Sequence, residues 1–523
     1  MNSSKYFILA IVLAIAIGSR AQDLSTKVVV ERSTEPTERA AMRLNGLSPV
    51  ILLPEMNPVA LSTANYGGVS TILRSLTHLN PADGSTLPLT DDSRGYLSLG
   101  YFPTFNFGVS AGYRAIATRS MTLDVWGQFD GEDYEAEKGF DRMKYNGLRL
   151  GANFAKSVDN NTRVDAALRY EYAGSSTMLR SKQSFHSSDF IGKWTSKIYE
   201  FDYNLGIGLG FDSYGNYVES ILNHEIEGLS QFRFDINGGM SMSHGDEMCA
   251  GLNFKLDYGN SLGIFGLTPY YSMKFNNVNA HVGLNLDLSM FGDNGANLSP
   301  DINIAWNPMS QLALKTSFTG GVLLNTMNRV REISYYLPGN TLFSRSYVPI
   351  DAEFALCVGL FGGLSAEAFA GYAIAKDWLM PDGDVTGSML SQVDVEGWHG
   401  GIRLNYRHKS FKTGISAEVA SSDVDKAYYL WRDRAKYVIS AFAEMSPIEN
   451  LVAGLSYEFR NNRHTDTESL GCMSLLDLRA RYDLRQNLSV FIETENLLGR
   501  RYWQLPTIAS QTIHGLAGIS WKF

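Results

Sequence analysis

The sequence predicts an all-β fold: a transmembrane, antiparallel, up-and-down β-barrel of about 22 strands, preceded by a short extended N-terminal segment that is periplasmic or lumenal. Three observations carry that expectation. From Arg94 onward the chain alternates apolar with polar or small residues at a period of two; no apolar helical span follows the first stretch, Tyr6 to Ile17; and the last residues form a strand with an aromatic carboxyl terminus. Composition agrees with them. The 523 residues include 49 Gly, 27 Tyr and 27 Phe, and mean hydropathy is only −0.13 because alternation hides apolar surface from an averaged scale. The acidic balance, a formal charge of −9, argues against a nucleic-acid partner.

At the N-terminus, Lys5 precedes the apolar stretch Tyr6 to Ile17, and Ser19-Arg20-Ala21 supplies small residues where a signal peptidase inspects them. Residues 1–21 therefore read as a signal peptide cleaved after Ala21, with an uncleaved anchor as the alternative. Residues 22–93 read as an extended segment. Within it, the β-prone run Val28, Val29 and Val30 reads first as an extended tether or a lumen-lining strand, with strand addition to a periplasmic protein as the alternative. Three prolines, Pro49, Pro54 and Pro58, push the residues before them out of the helical region and keep the next stretch extended.

Residues 94–523 read as the barrel. Tyr199, Phe201, Tyr203, Leu205, Ile207, Leu209 and Phe211 take one face of a strand, while Glu200, Asp202, Asn204 and three glycines take the other. The same split separates Leu476, Leu478, Ala480 and Tyr482 from Asp477, Arg479, Arg481 and Asp483. Tight periplasmic turns are expected near Thr118–Ser120, Ser157–Asn161, Trp194–Lys197, Ser243–Asp246, Asn276–Asn279, Pro308–Gln311, Gly362–Gly363, His408–Ser410, Ser446–Glu449 and Leu484–Asn487. Longer extracellular loops are expected near Gly131–Arg142, Asn325–Val348, Trp378–Gln392, Ser422–Arg434, Asn461–Thr467 and Leu497–Ser510. The alternation holds its parity only if Phe185 to Lys193 is a strand, and it then leaves both chain ends in the periplasm.

The last strand alternates Ile519, Trp521 and Phe523 with Ser520 and Lys522, as expected of an outer-membrane closing strand that also carries the assembly signal. Together with Asn487-Leu488-Ser489-Val490-Phe491-Ile492-Glu493-Thr494-Glu495-Asn496-Leu497-Leu498-Gly499-Arg500-Arg501-Tyr502, it resembles the end of TonB-dependent receptor barrels. Arg94-Gly95-Tyr96-Leu97-Ser98-Leu99-Gly100-Tyr101 and Glu35-Pro36-Thr37 are similar to plugless receptor-related proteins of the Bacteroidota. The resemblance covers the barrel, roughly four-fifths of the chain. Receptors of that class carry a globular plug, for which the segment before the first strand is too short. A barrel of about 22 strands is too wide for its own side chains to fill, so its lumen must hold residues 22–93, inward-folded loops such as Asn325–Val348, or a partner protein.

The resemblance implies passage of solutes or polymers across the outer membrane of a Gram-negative bacterium; the competing expectation is a structural or accessory barrel subunit of an envelope assembly with a closed lumen. Expected partners are outer-membrane lipid, the barrel-assembly machinery, and surface lipoproteins, another barrel or a periplasmic protein. The charges expected to face the lumen are Glu200, Asp202, Arg403, Arg407, Asp477, Arg479, Arg481 and Asp483, of both signs, as in a mutually compensating polar wall. Catalytic, cofactor and metal sites are not expected. The nine histidines are scattered, His399 and His408 fall on opposite faces of one strand, and Asp382-Gly383-Asp384 lacks the ligand series of a calcium loop. Cys249, Cys357 and Cys472 lie far apart and read as isolated thiols, with a single disulfide as the alternative.

Overall fold

A computed structural model describes residues 94–523 apart from connecting segments, of which 423–434 and 464–468 are the longest. The expected leader, the 22–93 segment and the Val28–Val30 run lie outside the described residues. In the rest, alternation has the consequence the sequence dictates. Along β13 (Val278–Met290), Val282, Leu284, Leu286 and Leu288 are each at least 40% exposed, while Asp287 and Ser289 on the opposite face are buried. Along β7 (Phe201–Tyr214), Leu205, Ile207, Leu209 and Phe211 point outward and Gly206, Gly208, Gly210 and Asp212 inward. Such rows of exposed Leu, Ile and Phe recur on neighbouring strands and make a continuous apolar band around the outside. An apolar surface of that extent belongs in lipid.

Twenty-two antiparallel strands close into one ring. The closing seam joins β1 (Gly95–Phe102) to β26 (His514–Lys522), from Tyr96↔Lys522 to Tyr101↔Ala517. Beyond it, the carbonyl of Phe523 accepts from the N–H groups of Arg94 at 2.6 Å and Gly95 at 2.8 Å. The seam therefore leaves no unpaired edge, which a lipid-exposed sheet cannot tolerate. Ile519, Trp521 and Phe523 stand exposed on its outer face, the two rings 4.9 Å apart.

The rim that holds Arg94 and Phe523 is here called the terminal rim, and the opposite one the far rim. Tight turns at the terminal rim fall where the sequence places them, with one exception. β6 (Arg180–Ile198) includes the expected strand Phe185–Lys193 but runs past Trp194–Lys197 and turns at Tyr199 and Glu200. Tyr199 takes a left-handed φ of 56°, a conformation without a glycine to announce it. At the far rim two expected loops are strands instead. β3 (Met121–Glu137) and β4 (Phe140–Ser157) pair through Gly131–Arg142, and β17 (Leu364–Asp384) and β18 (Gly387–His408) through most of Trp378–Gln392. These hairpins rise as ribbons above the band. Conversely β11 (Met248–Gly259) and β12 (Leu262–Phe275) meet at a two-residue turn, Asn260 and Ser261, both left-handed. A smaller hairpin, β8 (Tyr217–Glu219) with β9 (His224–Ile226), rides in the connection from β7 to β10 (Ser230–His244).

Gly518 sits where β26 meets β1, and a Cβ there would lie 2.1 Å from the Leu99 carbonyl oxygen, an atom fixed by the ladder. Gly518→Ala is expected to destabilise the closed barrel by about 1–3 kcal/mol. Gly454→Ala, whose Cβ would meet only the Ala443 oxygen at 3.9 Å, serves as the neutral control. Urea midpoints of heat-modifiable gel mobility compare them; equal midpoints would contradict the tight seam.

Candidate functional site

A ring of this size needs filling, and the connection between β15 (Leu312–Leu324) and β16 (Arg345–Gly359) supplies part of the filling. Thr326 opens a short helix, α1 (Met327–Ile333), its side chain accepting from the N–H of Arg329 at 3.4 Å. Met327, Val330 and Ile333 recur every three residues and bury one face. The chain then turns through Tyr335 and Tyr336, the N–H of Leu337 donating to the Ser334 carbonyl at 3.4 Å. Gly339 lies flat against the Tyr214 ring, where an added Cβ would sit 2.0 Å from a ring carbon.

This segment crosses the lumen. Counting barrel strands alone, β16 is the fourteenth and β3 the third, eleven apart and so on opposite sides of the 22-strand ring, yet Tyr336 Oη donates to Glu132 Oε1 of β3 at 3.0 Å. The Arg331 guanidinium pairs with Glu171 of β5 (Thr162–Thr177) and lies over the rings of Phe185 at 4.8 Å and Tyr335 at 4.5 Å. Wall side chains also hold the backbone of the loop. Ser175 Oγ donates to the Tyr335 carbonyl at 2.9 Å, Arg180 Nη1 to that of Tyr336 at 2.7 Å, and Gln231 Oε1 accepts from Met327 N at 2.9 Å.

The connection from β23 (Leu488–Glu495) to β26 folds in as well. Its miniature hairpin, β24 (Trp503–Leu505) with β25 (Ile508–Ala509), puts Leu505, Ile508 and Ala509 at 2% exposure or less in one core with Met327, Leu337 and Leu379. Tyr134 Oη donates to the Ala509 carbonyl at 3.1 Å, and Arg463 Nη1 to that of Trp503 at 2.8 Å. The base is set by Asn496, whose Nδ2 donates to the carbonyls of Arg500 at 2.7 Å and Gln511 at 3.0 Å. The far half of the lumen thus holds a small apolar core, sealed by charged and carbonyl contacts to the wall. Beside it, partial burial lowers the Arg329 guanidinium to about 10.

Around that core and below it, the inner wall is polar. Arg233 bridges Asp189 and Asp212, each at 2.6 Å, Lys255 pairs with Asp287 at 3.2 Å, and Arg114 with Asp124 at 2.7 Å. The glycines of β7 make room for these side chains rather than for a lumenal filler: a Cβ on Gly208 would lie 2.0 Å from Asp235 Oδ1, and one on Gly206 2.5 Å from Asn237 Oδ1. Of the charges singled out in the sequence, Arg403 pairs with Glu367 at 2.6 Å and Glu418 at 3.5 Å. Arg481 pairs with Asp483 on β22 (Met473–Arg485) at 2.9 Å, and Asp202 with Lys197 at 3.9 Å. Asp477 is buried and accepts from Asn496 N at 3.0 Å, so it serves the folded-in loop. Glu200 lies exposed in the β6–β7 turn, and Arg407 and Arg479 are also exposed.

The wall borders a cavity of about 880 Å³ lined by Lys197, His281, Lys315, Glu353, Glu367 and Arg403 among others. On its surface Ser272 Oγ and Asp301 Oδ2 flank His281 at 2.7 and 3.1 Å. All three stand on paired strands whose N–H groups are engaged in the ladder, so the row lacks an oxyanion cradle of the kind acyl transfer needs. All three cysteines are free. Among the described residues, no group of three or more His, Cys, Asp or Glu is placed to hold a metal ion, and no helix is long and apolar enough to cross a membrane.

No protein-family model matches this sequence, and no curated protein matches it in sequence. Solved structures do share its fold. The siderophore receptor PirA of Acinetobacter baumannii superposes with a TM-score of 0.63 at 10% identity, over 82% of this chain and 80% of that one. The FrpB iron transporter of Neisseria meningitidis gives 0.62 at 10% identity over 83% of each chain, and PirA of Pseudomonas aeruginosa 0.57 at 13% over 83% and 80%. This chain therefore shares the fold of those barrels.

Arg331→Ala leaves Glu171 without its guanidinium from the loop and removes two ring contacts. Arg149 still compensates Glu171, so the loss is that of a charged hydrogen bond, about 1.5 kcal/mol, and the amides of 327–337 are expected to exchange hydrogen roughly tenfold faster than in the parent. Unchanged protection by mass spectrometry would show that the loop is held elsewhere.

Proposed function

We propose that the protein is an integral outer-membrane barrel through which solutes or polymers pass, held shut at the far rim by the two folded-in loops. In this reading the far rim is extracellular, and the terminal rim and both chain ends are periplasmic. Residues 1–21 are a cleaved leader, 22–93 a periplasmic or lumenal segment, and 94–523 a plugless, receptor-like channel. Asp202, Arg403, Arg407, Arg479, Arg481 and Asp483 face the pathway as a polar lining of both signs, Glu200 stands at its periplasmic turn, and Asp477 holds the folded-in loop. Ile519, Trp521 and Phe523 form the strand that the barrel-assembly machinery reads, and Val28, Val29 and Val30 offer a strand to a periplasmic protein.

One observation carries the proposal: the crossing loop is held to the wall by side-chain contacts, Arg331 to Glu171 and Tyr336 to Glu132 among them, and by apolar packing rather than by strand pairing, while the other half of the lumen is a polar cavity. A closure held outside the strand ladder is one that a ligand or a partner can open without breaking the barrel. The solved barrels similar to this one bear the names of siderophore receptors and an iron transporter, which favours transport over catalysis.

A second reading, an accessory subunit of an envelope assembly that binds surface lipoproteins or another barrel, is favoured by the dry packing of Leu337, Leu379, Leu505 and Ile508 across the lumen. Planar-bilayer recordings separate the two. The passage reading expects rare openings from the full chain and frequent, larger ones when 327–337 is replaced by a Gly/Ser linker. Silence from both, with partners co-purifying in stoichiometric amounts, would favour the subunit.

A further inference from the structure

Directly beneath α1 lies a chamber of about 480 Å³, within the range of small-molecule sites. Its donors outnumber the acceptors available to them. Arg149, Arg169 and Arg331 line it together with Gln128 and Asn328. Three carboxyl groups also line it, Glu171, Asp189 and Glu332. Two of these are already engaged: Asp189 Oδ1 takes Arg233 Nη2 at 2.6 Å, and Glu171 Oε1 is shared by Arg331 and by Arg149 Nε at 3.3 Å. The third, Glu332, is exposed and turned to solvent rather than to these donors, with which it makes no ion pair or hydrogen bond among the described residues.

The donors are not matched in the same way. Arg169 has no ion pair or hydrogen bond among the described residues. Gln128 is only 4% exposed, yet its Nε2 has no acceptor, and neither does the buried Nε of Arg331. Buried donors left open are costly, and where they cluster around a cavity they select a ligand that brings acceptors. Trp126 and Tyr335 add ring surface on two sides.

We infer that this chamber binds the anionic group, a carboxylate or a phosphate, of a small solute, with Arg169, Arg331 and Gln128 Nε2 as its donors. The geometry gives the binding a consequence that rests on the passage reading above. Arg331 is the group that ties the crossing loop to Glu171, so an anion seated on Arg331 competes with that carboxylate and loosens the closure. Arg149 stays behind with Glu171, which limits the charge left uncompensated when Arg331 turns away.

The test is calorimetric titration of the full chain in detergent with sodium phosphate and, separately, sodium succinate, against sodium chloride at equal ionic strength. Saturable binding of at least one anion is expected, and which one binds identifies the group. Arg169→Ala is expected to weaken it at least tenfold and Gln128→Leu several-fold. Arg163→Ala, an exposed residue paired with Asp165 outside the chamber, is expected to leave it unchanged. Heat-modifiable gel mobility verifies folding of each variant, and the exposed Arg169 keeps the test valid should Gln128→Leu fail to fold. No saturable heat beyond chloride, or parent affinity in Arg169→Ala, overturns the inference. The readout does not depend on conductance: a chain that binds but stays silent in bilayers keeps the anion site and loses the passage reading, and a chain that conducts without binding does the reverse.

Discussion

Closing 22 strands into a ring solves one problem and creates another. The seam between β1 and β26 pairs the last backbone groups that lipid would otherwise leave unsatisfied. The ring that results is wider than its inward side chains can span. Everything distinctive about the far half of this molecule follows from that hole. Loops that would otherwise project outward find a partly desolvated wall to pack against, and two of them fold in to meet on one apolar core.

The two loops hold their places by different physics. The β24–β25 hairpin is anchored mainly by burial, with Leu505 and Ile508 almost completely enclosed, and by carbonyls taken up by Arg463 and Tyr134. The α1 segment also packs apolar residues, here against Tyr145 and Phe185 of the far wall, and adds long polar side chains that reach the same wall. Ordering a residue costs about 1–2 kcal/mol in backbone entropy, so a loop of this length is held only while most of its contacts persist together. That cooperativity suits a closure that opens as a unit.

Much of this was legible in the sequence, for a physical reason: lipid outside and water inside impose a strict period of two, which also fixes direction from the last strand backward. The strand at Phe185–Lys193, needed by parity alone, is present within β6. Connections were less legible. Hairpin ribbons that rise beyond the lipid no longer require an apolar face, so Gly131–Arg142 and Trp378–Gln392 read as loops although their backbones pair. The Asn260-Ser261 and Tyr199-Glu200 turns lack the glycines that usually mark left-handed backbone, which is why neither was placed. The sequence pointed to Asn325–Val348 as one possible lumen filler, but Arg331, Glu132 and Glu171 are scattered along the chain and only the folded wall makes them neighbours. The chamber under α1 is hidden for the same reason, since its donors come from β3, β4, β5 and the crossing loop.

The central claim is that residues 327–337 lie across the lumen against the opposite wall. A density map of the full chain in lipid nanodiscs, obtained by electron cryomicroscopy without added ligand, tests it most directly. Density joining Tyr336 to Glu132 and Arg331 to Glu171, below the far rim, is the expected result. A segment standing clear of the barrel above an open pore would contradict the account.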